Sequence, residues 1–446
     1  MSRIYSTLAS TLRGLNHVES DRVLARGASI SLAMRIGSVA FAYLANLLLA
    51  RWMGVTAYGQ YVYALGLAVP LAVIVGLGID QAGLRHLPVY AAAPELGKIR
   101  GFLGWSRRTV AGASLFAASV VAIGVALAGN LVPTDLRMPI LFGCALAPLL
   151  AFTRLNSSIL LGFKRTGLAS LHDLIRPILL IVFAGTLAWM MGLLSVAATV
   201  TALAASMMLV IGLQTVLIRR SSPPGVFESA PKTDSSVWIN TIRAMFFIQV
   251  LHIVMSKLDI MLIGAMIDVN SVAIYGVARR IAVLIGFSEV AVVMIAQPVI
   301  AEFHAQGKIK DLRRVVSVAA HISLWPTLLA AMVAAFFSEN ILGMFGTEFV
   351  AGSSALRVLL GAQVLHAMVS PAFVLLSFAG YHNAAARITA LVFVINVVLL
   401  TAGINWMGMM GAAWASVAVA LVWNLTLHTW VWVKLGIPSI PFARNR

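Results

Sequence analysis

Acidic residues are scarce in this chain. It holds 15 Asp and Glu among 446 residues, and 11% of its residues are charged. Soluble domains carry about 25% charged residues, so an ordinary water-facing surface is excluded. Cys144, inside an apolar run, is the single cysteine. One thiol forms no intramolecular disulfide and offers no metal cluster. The sequence contains no G-x-x-x-x-G-K-[ST] run, the loop that cradles nucleotide phosphates. Its polar stretches stay under roughly 20–30 residues, whereas a folded soluble domain takes at least about 50. No cofactor, metal, nucleotide or nucleic-acid site is expected. Whatever the chain does, it does within a bilayer.

Apolar residues dominate instead: 61% of the chain, with a mean hydropathy of +0.95. They fall in runs of the length a helix needs to cross a bilayer core, about 20 residues. Backbone groups in lipid must be satisfied internally, so such runs are helices. The alternating short strands of a β-barrel are not present. About twelve spans are expected, near 27–50, 60–80, 109–129, 138–161, 168–190, 194–217, 238–265, 275–299, 314–337, 354–379, 384–407 and 409–433. One polar, Pro- and Ser-rich break, Arg219 to Ser236, separates two halves. This gives an interfacial or cytoplasmic segment 1–26, a six-helix bundle 27–218, a linker 219–236, a second six-helix bundle 237–433 and a basic tail 434–446. The first 26 residues lack the apolar region and cleavage site of a signal peptide. Ile4, Leu8, Leu12 and Leu15 recur there at helical spacing, which suits a helix on the membrane surface.

The net charge of +17 fits anionic headgroups facing cytoplasmic loops. With the amino terminus inside, 22 of the 32 Lys and Arg fall on the cytoplasmic side. That asymmetry places both termini in the cytoplasm and supports an even helix count.

An internal echo fixes the architecture further. Tyr58-Gly59, within Arg51 to Leu65, is matched by Tyr275-Gly276, 217 residues later. Gly97-Lys98-Ile99-Arg100 is matched by Gly307-Lys308-Ile309-Lys310 at an offset of 210. Two echoes in one order at nearly one offset indicate a duplication. Six spans per half keep both halves in the same orientation, a parallel pseudo-twofold repeat.

Charges inside spans persist where they line a wet cavity, pair or reach the interface, because each costs about 2.5–3.5 kcal/mol at the bilayer centre. Arg35, Arg154, Arg176, Arg243 and Lys257 are such cations; Asp173, Asp259 and Glu289 are the acids. Arg35 lies roughly 13 Å along the first helix from Arg26. On a continuous seventh helix, Arg243 and Lys257 share one face, with His252 and Asp259 opposite. His252 suits a satisfied core histidine or a proton-handling role, and Lys257 a cavity or an outer headgroup. Arg279 and Arg280 begin the eighth span, where anchors and cavity residues both occur. Glu289 lies deeper and is the carboxylate best placed to exchange a proton. Asp173 and Arg176, three apart, are expected to pair locally.

The segment from Leu47 to Pro88, LLLARWMGVTAYGQYVYALGLAVPLAVIVGLGIDQAGLRHLP, resembles the opening helix pair of bacterial polysaccharide and O-antigen flippases of the multidrug/oligosaccharidyl-lipid/polysaccharide exporter superfamily. SKLDIMLIGAMIDVNSVAIYGVARRI resembles the start of that family's second half, and ENILGMFGTEFVAGSSALRVLLGAQVL its ninth-to-tenth connection. The resemblance implies alternating access of a basic central cavity to an undecaprenyl-diphosphate-linked oligosaccharide in the bacterial inner membrane, without enzymatic chemistry. At matching places stand Arg35, Arg243, Lys257, Arg279 and Arg280 as substrate-binding residues. Glu289, Asp259 and His252 are the coupling candidates. Implied partners are the lipid-linked glycan, membrane lipids, and glycan polymerase and chain-length proteins. The rivals are a multidrug/cation antiporter of the same superfamily, whose site calls for carboxylates, and a membrane glycan polymerase or transferase.

Overall fold

The computed structural model describes residues 18–129, 132–378 and 382–435. Most of the expected surface helix within 1–26, and most of the tail 434–446, lie outside the described residues. Helix dominates the rest, as an apolar backbone in lipid requires. The first half comprises α1 (Val18–Gly76), α2 (Ile79–Ala92), α3 (Leu96–Ala128), α4 (Thr134–Gly162), α5 (Thr166–Met191) and α6 (Val196–Ser221). The second comprises α7 (Ser235–Met255), α8 (Leu258–Met266), α9 (Val269–Ile285), α10 (Phe287–Ala305), α11 (Ile309–Phe336), the short α12 (Ser338–Gly343), α13 (Ser353–Phe378), α14 (His382–Met407) and α15 (Met409–Leu435).

Nine helices among the described residues are long and apolar enough to cross a membrane, and α7, bent by 44° between Arg243 and Phe246, makes a tenth. Two more follow from breaks in the chain. Gly54, at φ 73° and ψ 172°, divides α1 into two arms. Gly286 separates α9 from α10, which together form one interrupted span. Twelve spans in two groups of six result.

At that break Gly54 adopts a left-handed φ, a conformation that side chains rarely adopt, so one glycine makes the kink between the two arms. The matching turn of the second half is built differently. There the Asp268 carboxylate accepts from the Ser271 amide at 2.7 Å and caps α9.

The repeated Tyr-Gly pair is where the halves meet. A Cβ on Gly59 would run into the Val269 carbonyl of α9, and a Cβ on Gly276 would press on Val62 of α1. Each half therefore presents its glycine to the other's helix, and the backbones approach closely, as small residues allow in membranes. Tyr58 and Tyr275 are both fully buried beside this contact. Arg51 Nε donates to the Met344 carbonyl at 2.6 Å, and the Tyr43 and Tyr58 rings meet Phe345 and Phe349 edge to face. The halves are thus closed at the end that carries Gly54 and Asp268, the turn end.

Away from the turn end, the second half packs on itself. Ile300, Leu312, Val316, Val392 and Leu427 form a core separate from the one shared by the two halves. The linker also departs from a loose tether. Lys232 N donates to the Gly97 carbonyl at 2.8 Å, Arg100 donates to the Ser229 carbonyl at 2.7 Å, and Trp238 Nε1 donates to Tyr90 Oη at 3.0 Å. Linker and α7 start are therefore docked on the first half.

Gly59→Ala should destabilise the protein by about 1–3 kcal/mol, the usual cost of overpacking. Gly104→Ala, whose Cβ meets nothing within 4 Å, should be neutral. Thermal unfolding in detergent distinguishes the two.

Candidate functional site: a basic cluster under the turn-end contact

The cluster begins with a broken helix. α7 ends at Met255, and Lys257 adopts φ −125° and ψ −3° before α8 starts. A single continuous seventh helix, on which Arg243 and Lys257 would share a face, does not exist. The break turns Lys257 and Asp259 away from the register of α7. Packing then fixes α8: the Tyr63 ring lies where a Cβ of Gly264 would be, and Ile260 occupies the space beside Gly66.

Asp259, buried on the first turn of α8, accepts from three sides. Its Oδ1 receives the Ile260 amide at 2.8 Å and the Arg279 guanidinium, and its Oδ2 receives the Tyr275 hydroxyl at 3.1 Å. Tyr275 Oη also lies 3.3 Å from Ser416 Oγ of α15. Such a carboxylate is fully satisfied, and Arg279 is neutralised by it.

Arg280 is answered differently. Its Nη1 donates to Tyr58 Oη at 2.7 Å, Tyr58 Oη donates to Asn46 Oδ1 at 3.2 Å, and the guanidinium lies 5.9 Å from the Tyr58 ring centre. The contact spans both halves. A hydroxyl and a ring face solvate the cation without cancelling its charge. Lys257 stands at the break just before α8, two residues ahead of Asp259. Among the described residues, neither Lys257 nor Arg280 forms an ion pair with a carboxylate.

A second polar centre lies between α2, α4 and α7. Asp80 Oδ2 accepts from Arg154 Nη2 at 3.1 Å and from Gln249 at 3.0 Å. It ties α7 to the first half with Arg154 neutralised, so this arginine has a structural role.

The structure thus gathers Lys257, Asp259, Arg279 and Arg280 into one cluster. Arg35 and Arg243 are exposed on α1 and α7, and His252, also exposed, is separated from Asp259 by the helix break. Glu289 is half-buried in the first turn of α10, a helix start created by the break at Gly286. Two participants escaped sequence reasoning. Tyr58 and Tyr275 were used only as markers of the repeat, yet their hydroxyls bond the two families of charges. The expected local pair Asp173–Arg176 is absent: Asp173 Oδ1 lies 3.2 Å from His172 Nε2 instead. An adjacent imidazole competes for the carboxylate, and side-chain spacing along α5 does not reveal which partner wins.

Residues 24–304 match the family model described as polysaccharide biosynthesis protein. The chain belongs to this family. A second family model, MatE, matches residues 244–401. A probable low-salt glycan biosynthesis flippase of Haloferax volcanii is 28% identical over 181 residues, which span 39% of this chain and 37% of that protein. The chain thus matches little more than a third of that relative's length. Among solved structures, an inward-facing multidrug resistance MATE family transporter of the MOP superfamily is similar with a TM-score of 0.76. Identity is 14%, with 92% of this chain and 98% of that one covered. The lipid II flippase MurJ, in an inward closed conformation, is similar with a TM-score of 0.69 at 15% identity, covering 90% and 87%. At these identities the likeness is one of fold, and it is the two-bundle, twelve-helix fold described above.

Asp259→Ala should strand Arg279 and cost about 2–4 kcal/mol, somewhat below the usual range for a broken buried pair because Arg279 is partly exposed. Asp259→Ala combined with Arg279→Met should recover most of that loss. Unfolding midpoints of the two variants check this.

Proposed function

We propose that this member of the polysaccharide biosynthesis family is a flippase for a lipid-linked oligosaccharide. The observation that carries the reading is the pair of cations in the cluster, Arg280 and Lys257, that lack a carboxylate while Arg279 and Arg154 have one. An uncompensated guanidinium in a membrane cavity calls for an anionic ligand. A diphosphate suits it, since guanidinium binds phosphate oxygens through paired hydrogen bonds. The polyprenyl tail stays in the bilayer while the diphosphate and glycan pass between the halves. In this reading the ligand is undecaprenyl-diphosphate-linked and the membrane is the bacterial inner membrane. Both termini are cytoplasmic, which makes the turn end periplasmic. Closure there leaves the cavity to be loaded from the cytoplasm, and rocking of the halves releases the headgroup outside. Arg35 and Arg243, exposed toward the linker end, would meet the headgroup first. The chain performs no covalent chemistry in this scheme, and any polymerase or chain-length protein would act after release.

A cation antiporter needs a carboxylate free to bind its substrate. Asp259 and Asp80 are both occupied by arginine, which argues against that rival. Three donors hold Asp259; Glu289 and His252 are the other coupling candidates.

Reconstituted protein should move the headgroup of a fluorescent undecaprenyl-diphosphate oligosaccharide across liposome membranes, read as protection from an external reagent. Arg280→Gln should slow this by about tenfold or more, the scale of one charge-assisted hydrogen bond. Arg154→Gln, where the variant folds, should not reproduce that defect at matched protein levels. Hydrolysis or transfer of the glycan by purified protein would refute the reading.

A further inference from the structure

The twofold repeat is broken at the turn end. In the first half, residues 129–133 suffice to join α3 to α4, whereas residues 337–352 join α11 to α13 in the second. The longer connection folds into α12 and a 3-10 turn, Thr347–Gly352. Gly346 links the two at φ 144° and ψ 157°, where any side chain would be strained.

Both ends of this connection are fastened to their own half. At the base, Arg357 of α13 donates to Ser338 Oγ and to Glu339 Oε1, each at 3.0 Å, and Ser338 is fully buried. At the far end, a Cβ on Gly352 would run into the Ile274 side chain of α9. The middle lies on the other half. The Met344 carbonyl accepts from Arg51 Nε at 2.6 Å. Phe345 and Phe349 are buried, with ring centres 6.2 Å apart. Phe345 meets Tyr43 at 5.5 Å and 88°, and Phe349 meets Tyr58 at 5.9 Å and 76°, the edge-to-face geometry that aromatic pairs prefer. Tyr43 precedes Gly54 and Tyr58 follows it, so the two phenylalanines touch both arms of α1.

The two kinds of attachment differ in what parting costs. Arg51 and Met344 are both exposed, so water replaces their hydrogen bond when they separate. The ring contacts carry no charge that parting would strand. The base and far end, by contrast, are continuous with α11 and α13 and packed among second-half residues.

We propose that residues 337–352 form a one-sided lid over the turn end. The lid belongs mechanically to the second half. It seats Phe345 and Phe349 on α1 when that end is closed, and lifts off α1 in one piece with the second half when it opens. The parting line therefore runs between the two phenylalanines and α1, not midway between two equivalent connections. That the lid covers the exit for a headgroup rests on the flippase reading; the parting line does not.

The test uses the full-length Cys144→Ser protein. Thr56 on α1, Glu348 in the lid and Asn270 on α9 are all exposed. Thr56→Cys with Glu348→Cys, joined by a reducible bis-methanethiosulfonate linker, ties the lid to the first half. Asn270→Cys with Glu348→Cys ties it to the second. In liposomes the first lock should stop headgroup translocation until reductant is added, and the second should leave it unchanged. Translocation that survives the first lock, or is lost with the second, would overturn the lid. A protein that moves no headgroup even when unlocked would overturn the flippase reading alone. Spin labels at the same positions judge the lid without substrate. Phe345→Ala, or the milder Arg51→Gln, should lengthen the Thr56–Glu348 distance and preserve the Asn270–Glu348 distance. The reverse pattern, or no change in either distance, would refute the one-sided attachment.

Discussion

Asp259 sits buried on the first turn of α8, where the Ile260 amide, the Arg279 guanidinium and the Tyr275 hydroxyl converge on its carboxyl group. A charge in hydrocarbon must be answered by a partner, a hydrogen-bond network or water, and the arginines of this chain differ in the answer they receive. Arg279 and Arg154 are answered by carboxylates. Arg280 is answered by a tyrosine from the other half. In the proposed function, that sorting separates arginines that hold the fold from arginines that meet a ligand. It also explains why so acid-poor a chain tolerates charges in its spans: its few intramembrane carboxylates are spent on particular cations.

Closure of the turn end follows from the same cluster. Gly59 and Gly276 let α1 and α9 come together, which brings Tyr58 within reach of Arg280. The close contact is apolar and tight, whereas the ties laid across it, Arg280 to the Tyr58 hydroxyl and Arg51 to the Met344 carbonyl, are charged hydrogen bonds. Linker and α7 start, docked on α2 and α3, fasten the opposite end on the α7 side only. In the proposed scheme the breaks at residues 244–245, 256–257 and 286, rather than the linker, take up the movement of the halves.

Much of the fold was legible because bilayer physics is blunt: apolar runs, a basic asymmetry and a twofold echo suffice to give twelve helices in two bundles. Arg279, Arg280, Lys257 and Asp259 were found for the same reason, as expensive charges in apolar surroundings. Their partners were not legible. Helical spacing grouped Arg243 with Lys257 and His252 with Asp259, because nothing in the residues between announces the break at Ser256. Similarly, i,i+3 spacing offered Arg176 to Asp173, while the His172 ring is held beside Asp173 by the Ala169 carbonyl of its own helix and by Ser157 of α4. Tyr58 and Tyr275 looked like repeat markers because a hydroxyl's partner lies across the interface, where one sequence gives no register.

The most direct test is a spin-label distance between Thr56 and Asn270, both exposed at the turn end on opposite halves, in a Cys144→Ser background. The account predicts a short, narrow distribution at rest that lengthens with a polyprenyl diphosphate and not with the polyprenol. A long distance at rest, or no response to the diphosphate, would contradict it.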